Sequence, residues 1–281
     1  MNVLYCGDGN IKDGLLISIL SLIKNCPEKL NVYVLTAGIS YGSTEYKALS
    51  EDYCNFLDEV VKRKNQESFI KLINITEIFK SCIPDANMNT RFTPMCMLRL
   101  YADLVEELPD KILYLDNDVI CRLNPIKFYN MDMENIEMCG VLDYYGSWFF
   151  RNQPLKRDYL NSGVLLLNLP KIRQTGLFKK CRNRCRDTEM FMPDQSALNK
   201  LSVCKRIVSR KFNEQRKLHK DTVFQHFTTS FRFFPIIRTV SVKPWNIKGM
   251  HNILHLNEYD EILNEYSELK LQYSSKERAI L

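Results

Sequence analysis

Two carboxylates one residue apart, Asp116 and Asp118, directly follow the run Lys111-Ile112-Leu113-Tyr114-Leu115. Apolar residues on consecutive positions read as a strand covered on both faces, as in a parallel sheet. Open α/β sheets bind ligands beyond the carboxyl ends of such strands. An Asp-Asn-Asp placed there offers hard oxygen donors that suit Mg2+ or Mn2+ and, through the ion, substrate phosphates. The plain alternative is a surface turn, since Asp and Asn favour turns; the strand immediately before argues for chemistry. Histidine is scarce, with four residues in all. His226, just before Phe227 and after an apolar stretch, stands out. His251 and His255 lie four apart and would form a metal pair on a helix face, but Gly249 and Asn252 argue against that helix.

Positioning those groups takes a sheet and its connections. Strand patterns cover Asn2–Cys6, Leu30–Thr36, Phe69–Ile75, Lys111–Leu115, Glu137–Leu142 and Gly163–Leu167. Helical patterns lead to Asn25 before Pro27, then cover Ser43–Arg63, Pro94–Leu108, Gly176–Arg186, Asp194–Leu201 and Glu258–Lys270. The alternation predicts an α/β single domain with a central mostly parallel sheet flanked by helices. No repeat or linker interrupts it. The expected division is a catalytic domain over 1–250 and a short C-terminal helical extension over 251–281.

The 281 residues are 26% charged and 45% hydrophobic, which excludes a disordered chain, a coiled coil and a collagen-like fibre. The net charge of +6 is uneven. Lys171 to Lys220 holds 15 Lys and Arg against 4 Asp and Glu, net +11, while the rest holds 24 against 29, net −5. Nucleic acid is the first reading of such a patch, but no stacking platform or groove-reading motif accompanies it, so no nucleic-acid partner is expected. Solvated helix faces are one explanation. The other is attraction of Lys179, Lys180, Arg182, Arg184 and Arg186 to an anionic membrane surface or acceptor. Ten scattered cysteines without a C-x-x-C pair read as free thiols in a reducing compartment. Met1–Asp8 has no basic leader, and Leu15–Ile23 is too short to span a bilayer. The expected location is the cytoplasm, peripheral on the inner face of the membrane.

Several ordered motifs carry a family resemblance over about Asn2 to Trp245. They are Asp8 and Asn10 after the first strand; Arg99-Leu100-Tyr101; Leu113-Tyr114-Leu115-Asp116-Asn117-Asp118; Tyr159-Leu160-Asn161-Ser162-Gly163-Val164; Asp194-Gln195 with Leu198-Asn199; His226-Phe227; and Lys243-Pro244-Trp245. In this the sequence resembles the retaining glycosyltransferase family 8, which contains glycogenin and bacterial lipopolysaccharide galactosyltransferases. The resemblance implies the GT-A (Rossmann-like) fold. It also implies an enzyme moving a hexose, glucose or galactose, from a UDP-sugar to a glycan, lipid-linked or protein acceptor.

By the same resemblance, Asp116, Asp118 and His226 hold Mn2+ or Mg2+. Asp8 faces the uracil edge and Asn10 the ribose; the glycines beside Asp8 admit the ligand, and its carboxylate can accept the uracil N3–H. Arg99, Asn117, Asp143, Asn161 and Lys243 complete the donor site, with Lys243 on the diphosphate and Trp245 beneath the loop or against the acceptor. Gln195 and Asp194 are the catalytic pair. An amide is a poor nucleophile, so a front-face route is expected, with the Gln195 carbonyl dipole stabilising the sugar cation. One departure stands out: Thr228 to Val242 separates His226 from Lys243 without a Gly. Its aromatic and basic part, Ser230-Phe231-Arg232-Phe233-Phe234-Pro235, suggests a lid or acceptor platform. Two alternatives compete. Haloacid-dehalogenase-like phosphatases also use a strand-end D-x-D, but here the Gly7-Asp8 and Asp13 that mimic their late acidic motif come first. A non-catalytic nucleotide-sugar-binding relative would not require a suitable residue at every demanding position.

Overall fold

Alternation along the central strands decides the layering. On β1 (Asn2–Cys6), Val3 and Tyr5 enter one core while Leu4 enters the other; on the strand Lys111–Leu115, Leu113 and Leu115 divide from Ile112 and Tyr114 in the same way. Both faces are buried, so the run reads as continuously apolar. The computed structural model describes residues 1–90, 93–145, 158–232 and 238–280. After β1 come β2 (Asn31–Thr36), β3 (Ile39–Tyr41), β4 (Thr44–Tyr46), β5 (Phe69–Asn74), β6 (Lys111–Leu115) and β7 (Val119–Cys121). They are followed by β8 (Met138–Leu142), β9 (Leu160–Asn168), β10 (Lys205–Ile207), β11 (Phe224–His226), β12 (Ser230–Arg232) and β13 (Arg238–Val240).

The central sheet has the order β10-β8-β9-β6-β1-β2-β5. All neighbours are parallel except β9, which runs antiparallel to β6 and β8. That reversal matters for the site. It lays the beginning of β9, Asn161 to Gly163, beside the carboxyl end of β6, where Leu115 pairs with Val164. The chain leaves β1 toward β2 on one side and returns in β6 on the other, so β1 and β6 bracket a topological switch point.

One face carries α1 (Lys12–Asn25), α2 (Glu51–Lys64) and the C-terminal helix Asp260–Ile280. Ile262, Leu263, Tyr266, Leu269 and Tyr273 of that last helix join the same core, and Tyr273 packs edge-on against Tyr53 at 5.0 Å. The C-terminal extension is helical as expected and packs into that layer, its helix running ten residues past the expected Lys270. The other face carries Pro94–Leu104 and the helices Leu169–Thr175, Leu177–Asp187 and Pro193–Leu201. Two elements differ from expectation. Residues 43–50 do not extend α2: a turn at Gly42, with φ +58, joins β3 to β4, and α2 starts after Ser50 caps it. Pro94–Leu104 winds as a 3-10 helix and stops before Leu108. With three residues per turn, Cys96 and Arg99 share an edge, and Arg99 Nε donates to the Cys96 carbonyl at 3.0 Å. Among the described residues, no helix is long and apolar enough to cross a membrane.

Burial pushes the thiols of Cys6, Cys54, Cys96, Cys121, Cys181 and Cys185 up, Cys54 to about 12. It does the same to the Tyr5 and Tyr114 phenols. Each folded pKa lies above the unfolded one, so this stability is complete below the ordinary thiol value and drains as pH rises past it. The thermal midpoint should fall steadily above about pH 9, each ionising group removing up to about 1.4 kcal/mol per pH unit. Calorimetry across that range checks it; a flat profile would contradict the burial of these thiols.

Candidate active site

At the end of β6 the chain turns sharply. Asp116 N–H donates to the Gly163 carbonyl at 2.8 Å, and Val119 N–H to the Asp116 carbonyl at 3.2 Å. The turn leads into β7, whose antiparallel partner β11 sets His226 opposite Val119. Phe227 N–H then donates to the Asp118 carbonyl at 3.0 Å. A short ladder therefore brings His226 to the carboxylates across more than a hundred residues of chain. His226 Nε2 lies 3.1 Å from Asp118 Oδ1 and 3.7 Å from Asp116 Oδ2, and one ligand atom from each residue falls within 4.8 Å of the others. Gly163 makes the space. A Cβ there would overlap His226 Cε1 and stand 2.6 Å from its Nδ1 and 2.8 Å from Asp116 Oδ2.

Lys243 also reaches this cluster. Its Nζ donates to Asp118 Oδ2 and, at 2.9 Å, to the Phe227 carbonyl. The long separation from His226 closes on itself: β12 and β13 form an antiparallel ladder from Ser230–Val240 to Arg232–Arg238, and Thr229 donates to Ser241 at 3.3 Å. Phe233, Phe234 and Pro235 of the expected lid or platform lie outside the described residues.

Behind the carboxylates sits Arg99, 3% exposed. Its Nη2 donates to Asp116 Oδ1 at 2.9 Å, its Nε pairs with Asp194 Oδ2 at 3.2 Å, and its Nη1 donates to the Ser162 carbonyl. The guanidinium also lies 4.0 Å from the Tyr114 ring centroid. These contacts tie Asp116 to Asp194. Gln195 is anchored at both ends: Oε1 accepts from Ser162 N–H at 2.9 Å, and Nε2 donates to Asp143 Oδ2 at 2.8 Å. Asn161 donates to the same Asp143 oxygen at 3.1 Å, while its own Oδ1 lies 3.1 Å from His226 Nδ1.

Asp8 and Asn10 stand at the end of β1, beside β6. The buried Asp8 carboxylate accepts from Asn10 N–H at 3.2 Å and Asn10 Nδ2 at 2.8 Å, capping the short turn Gly9–Ile11. Asn117 presents its carbonyl to α1 at Gly14; a Cβ there would collide with that oxygen and stand 2.7 Å from Trp245 Cζ3. Trp245 therefore packs beneath the D-x-D turn. His251 pairs with Asp260 at 2.7 Å in a helix ending at Asn252, and His255, at φ +53, does not share its face. The basic cluster needs correction as well. Arg182 is buried and paired with Asp103, tying its helix to the segment that carries Arg99, and Arg186 pairs with Asp187 at 2.7 Å. Lys179 and Lys180 stay exposed.

Sequence reasoning missed Asn213. It is 1% exposed and set against both His226 and Asn161. Nothing in Phe212-Asn213-Glu214 separates it from an ordinary turn residue; only its buried position marks it.

The donor set fits a hard or borderline divalent cation: two carboxylates and one imidazole, with Gly163 leaving room for them. Charge agrees. Among the described residues, Asp116, Asp118 and Asp194 pair with Arg99 and Lys243, three carboxylates against two permanent cations. Burial alone would raise the Asp118 carboxyl, but Lys243 and His226 outweigh it and hold it below the usual carboxylate range. At Asp194 burial prevails over Arg99 and pushes the carboxyl up.

The proteins this chain is similar to are glycosyltransferases. A putative glycosyltransferase of Haemophilus influenzae is 26% identical over 227 residues, 76% of this chain and 63% of that protein. A lipopolysaccharide 1,3-galactosyltransferase of Salmonella typhimurium is 28% identical over 268 residues, covering 90% and 75%. The chain thus spans less than two thirds of the first relative's length and three quarters of the second's. The crystal structure of the galactosyltransferase LgtC in complex with donor and acceptor sugar analogues superposes with a TM-score of 0.66 over 96% of this chain and 95% of that one, at 19% identity. That likeness establishes the GT-A fold. The model of glycosyl transferase family 8 matches residues 2–247, and the chain belongs to that family.

Proposed function

We propose that the protein is a metal-dependent, retaining hexosyltransferase that takes glucose or galactose from a UDP-sugar and delivers it to a glycan, lipid-linked or protein acceptor. The observation that carries this reading is the Asp116, Asp118 and His226 cluster at the carboxyl end of β6, with Lys243 already drawn to it. A divalent ion held there would supply Lewis-acid stabilisation of the leaving diphosphate. Asp8 and Asn10 take the uridine, Asn117 lines the donor site, and Lys243 meets the diphosphate charge. Asp143 and Asn161 offer polar partners to the sugar hydroxyls, and Arg99 holds Asp116 in place.

Retention is better served by front-face attack. The carboxylates near Gln195 are engaged: Asp194 with Arg99, and Asp143 with Asn161 and Gln195 itself. Neither is presented as a nucleophile for double displacement. The acceptor proton passes to an oxygen of the departing diphosphate, and the Gln195 carbonyl dipole, oriented by Ser162 and Asp143, stabilises positive charge on the sugar. The bacterial relative acts on lipopolysaccharide, and a surface glycan is the favoured acceptor here, met at the inner face of the membrane with the exposed Lys179 and Lys180 available to anionic headgroups. Family membership sets the phosphatase reading aside.

A thermal-shift panel of UDP-sugars with and without Mn2+ tests the reading. One hexose donor plus Mn2+ should stabilise the protein by about 2.7 kcal/mol at a hundred times its Kd, and neither alone should match it. Release of UDP on adding acceptor separates an enzyme from a non-catalytic relative. No stabilisation by any UDP-sugar with Mn2+ would refute the proposal.

A further inference from the structure

The orientation of His226 follows from one backbone group. Gly163 N–H can only donate, and it donates to Asn161 Oδ1 at 3.0 Å. Asp143, when ionised, can only accept, and it accepts from Asn161 Nδ2 at 3.1 Å. The two ends of the Asn161 amide are therefore assigned without choice. Asn213 lies 2.9 Å from Asn161 Oδ1, so the atom facing that oxygen is the donor Nδ2. Its own Oδ1 then faces His226 Nδ1 at 3.2 Å, next to Asn161 Oδ1 at 3.1 Å. Two acceptor oxygens against one ring nitrogen require that nitrogen to carry the hydrogen. Nε2 is left toward Asp118 and Asp116.

We propose that Asn213 is a positioning residue which, with Asn161, holds His226 in the Nδ1–H tautomer and so presents its Nε2 lone pair to a divalent cation between Asp116 and Asp118. The proposal rests on the metal reading above. A ligating histidine gains basicity and a defined ring angle when its other nitrogen donates to a fixed acceptor. Asn213 suits the task, being buried and supplying both the acceptor for the ring and the donor that locks Asn161. The same chain of bonds runs on through Asp143 to Gln195, joining the metal ligand to the catalytic amide.

The test has two readouts at one fixed pH, neither of them turnover. Nitrogen-15 NMR of histidine-labelled protein saturated with diamagnetic Mg2+ should show the His226 ring hydrogen on Nδ1, with Nε2 bare toward Asp118 and Asp116. Mn2+ affinity, read from the EPR signal of the free ion, should fall about 10–100-fold in Asn213→Ala, with a mixed tautomer. Asn213→Asp keeps an acceptor of the same size toward Nδ1–H, so it should retain the tautomer and bind Mn2+ better than Asn213→Ala. A wild-type Nε2–H tautomer overturns the proposal, as does Asn213→Ala binding Mn2+ like wild type, or Asn213→Asp doing no better than Asn213→Ala. Wild-type protein that binds no Mn2+ overturns the metal reading and this proposal together; the other outcomes strike this proposal alone.

Discussion

Asp116→Asn should abolish metal-dependent transfer while leaving a folded protein. Two jobs meet on that carboxylate. Oδ1 accepts from Arg99 and from the Tyr114 hydroxyl, and Oδ2 faces the His226 ring. An amide keeps a carbonyl oxygen for Arg99 and Tyr114 but turns an N–H2 toward the cation, so one ligand becomes a donor. Loss of outer-shell partners typically costs 10–100-fold, so loss of a ligand should cost at least about a hundredfold in Mn2+ affinity. The fold should lose less. Arg99 retains Asp194 at 3.2 Å, and the Asp116 side chain is 27% exposed, so about 1–2 kcal/mol is expected rather than the about 3–5 kcal/mol of a fully buried broken pair. Mn2+ titration followed by EPR, with thermal unfolding alongside, reads both. A variant that transfers sugar at the wild-type rate would remove Asp116 from the metal site.

The part of this site that strand patterning alone spells out lies in one stretch of chain. Lys111–Leu115 with its Asp-Asn-Asp is legible because burial on both faces writes itself into consecutive residues and the turn follows at once. Of the contacts made across the fold, the family motifs single out His226 with Asp116 and Asp118, and the others leave no pattern. Arg99 matches a family position assigned to the donor, but its pairing with Asp116, Asp194 and the Ser162 carbonyl leaves no trace in the sequence. Asn213 has partners 52 and 13 residues away and no pattern of its own. The error at 43–50 has a local cause. Tyr46 and Leu49 continue the apolar spacing of α2 backward, and only the left-handed turn at Gly42 diverts the chain into a hairpin. The basic run misled in a further way: composition counts Arg182 as surface charge, whereas its pairing with Asp103 buries it.

Gly163→Ala should be nearly as damaging to metal binding as loss of a ligand, although it removes no functional group. In a strand, alanine is normally the better residue by roughly 0.5–1 kcal/mol. Here the added methyl would enter the His226 ring and stand 2.8 Å from Asp116 Oδ2. The ring cannot retreat freely, because Nδ1 is held against Asn161 and Asn213 and its backbone is bound into the ladder with β7. Either His226 swings off or β9 shifts away from β6, at the about 1–3 kcal/mol typical of overpacking. Both movements separate the three ligands, so Mn2+ affinity should fall on the order of 10–100-fold. Gly140→Ala on the neighbouring β8 is the matched comparison. Its methyl would meet Leu165 Cδ2 at 2.8 Å, the flexible end of a side chain rather than a ligand. That variant should change the thermal midpoint and leave Mn2+ affinity within about threefold, since overpacking at a distance acts on stability alone. Equal Mn2+ affinity in Gly163→Ala and wild type would mean that His226 does not hold the ion.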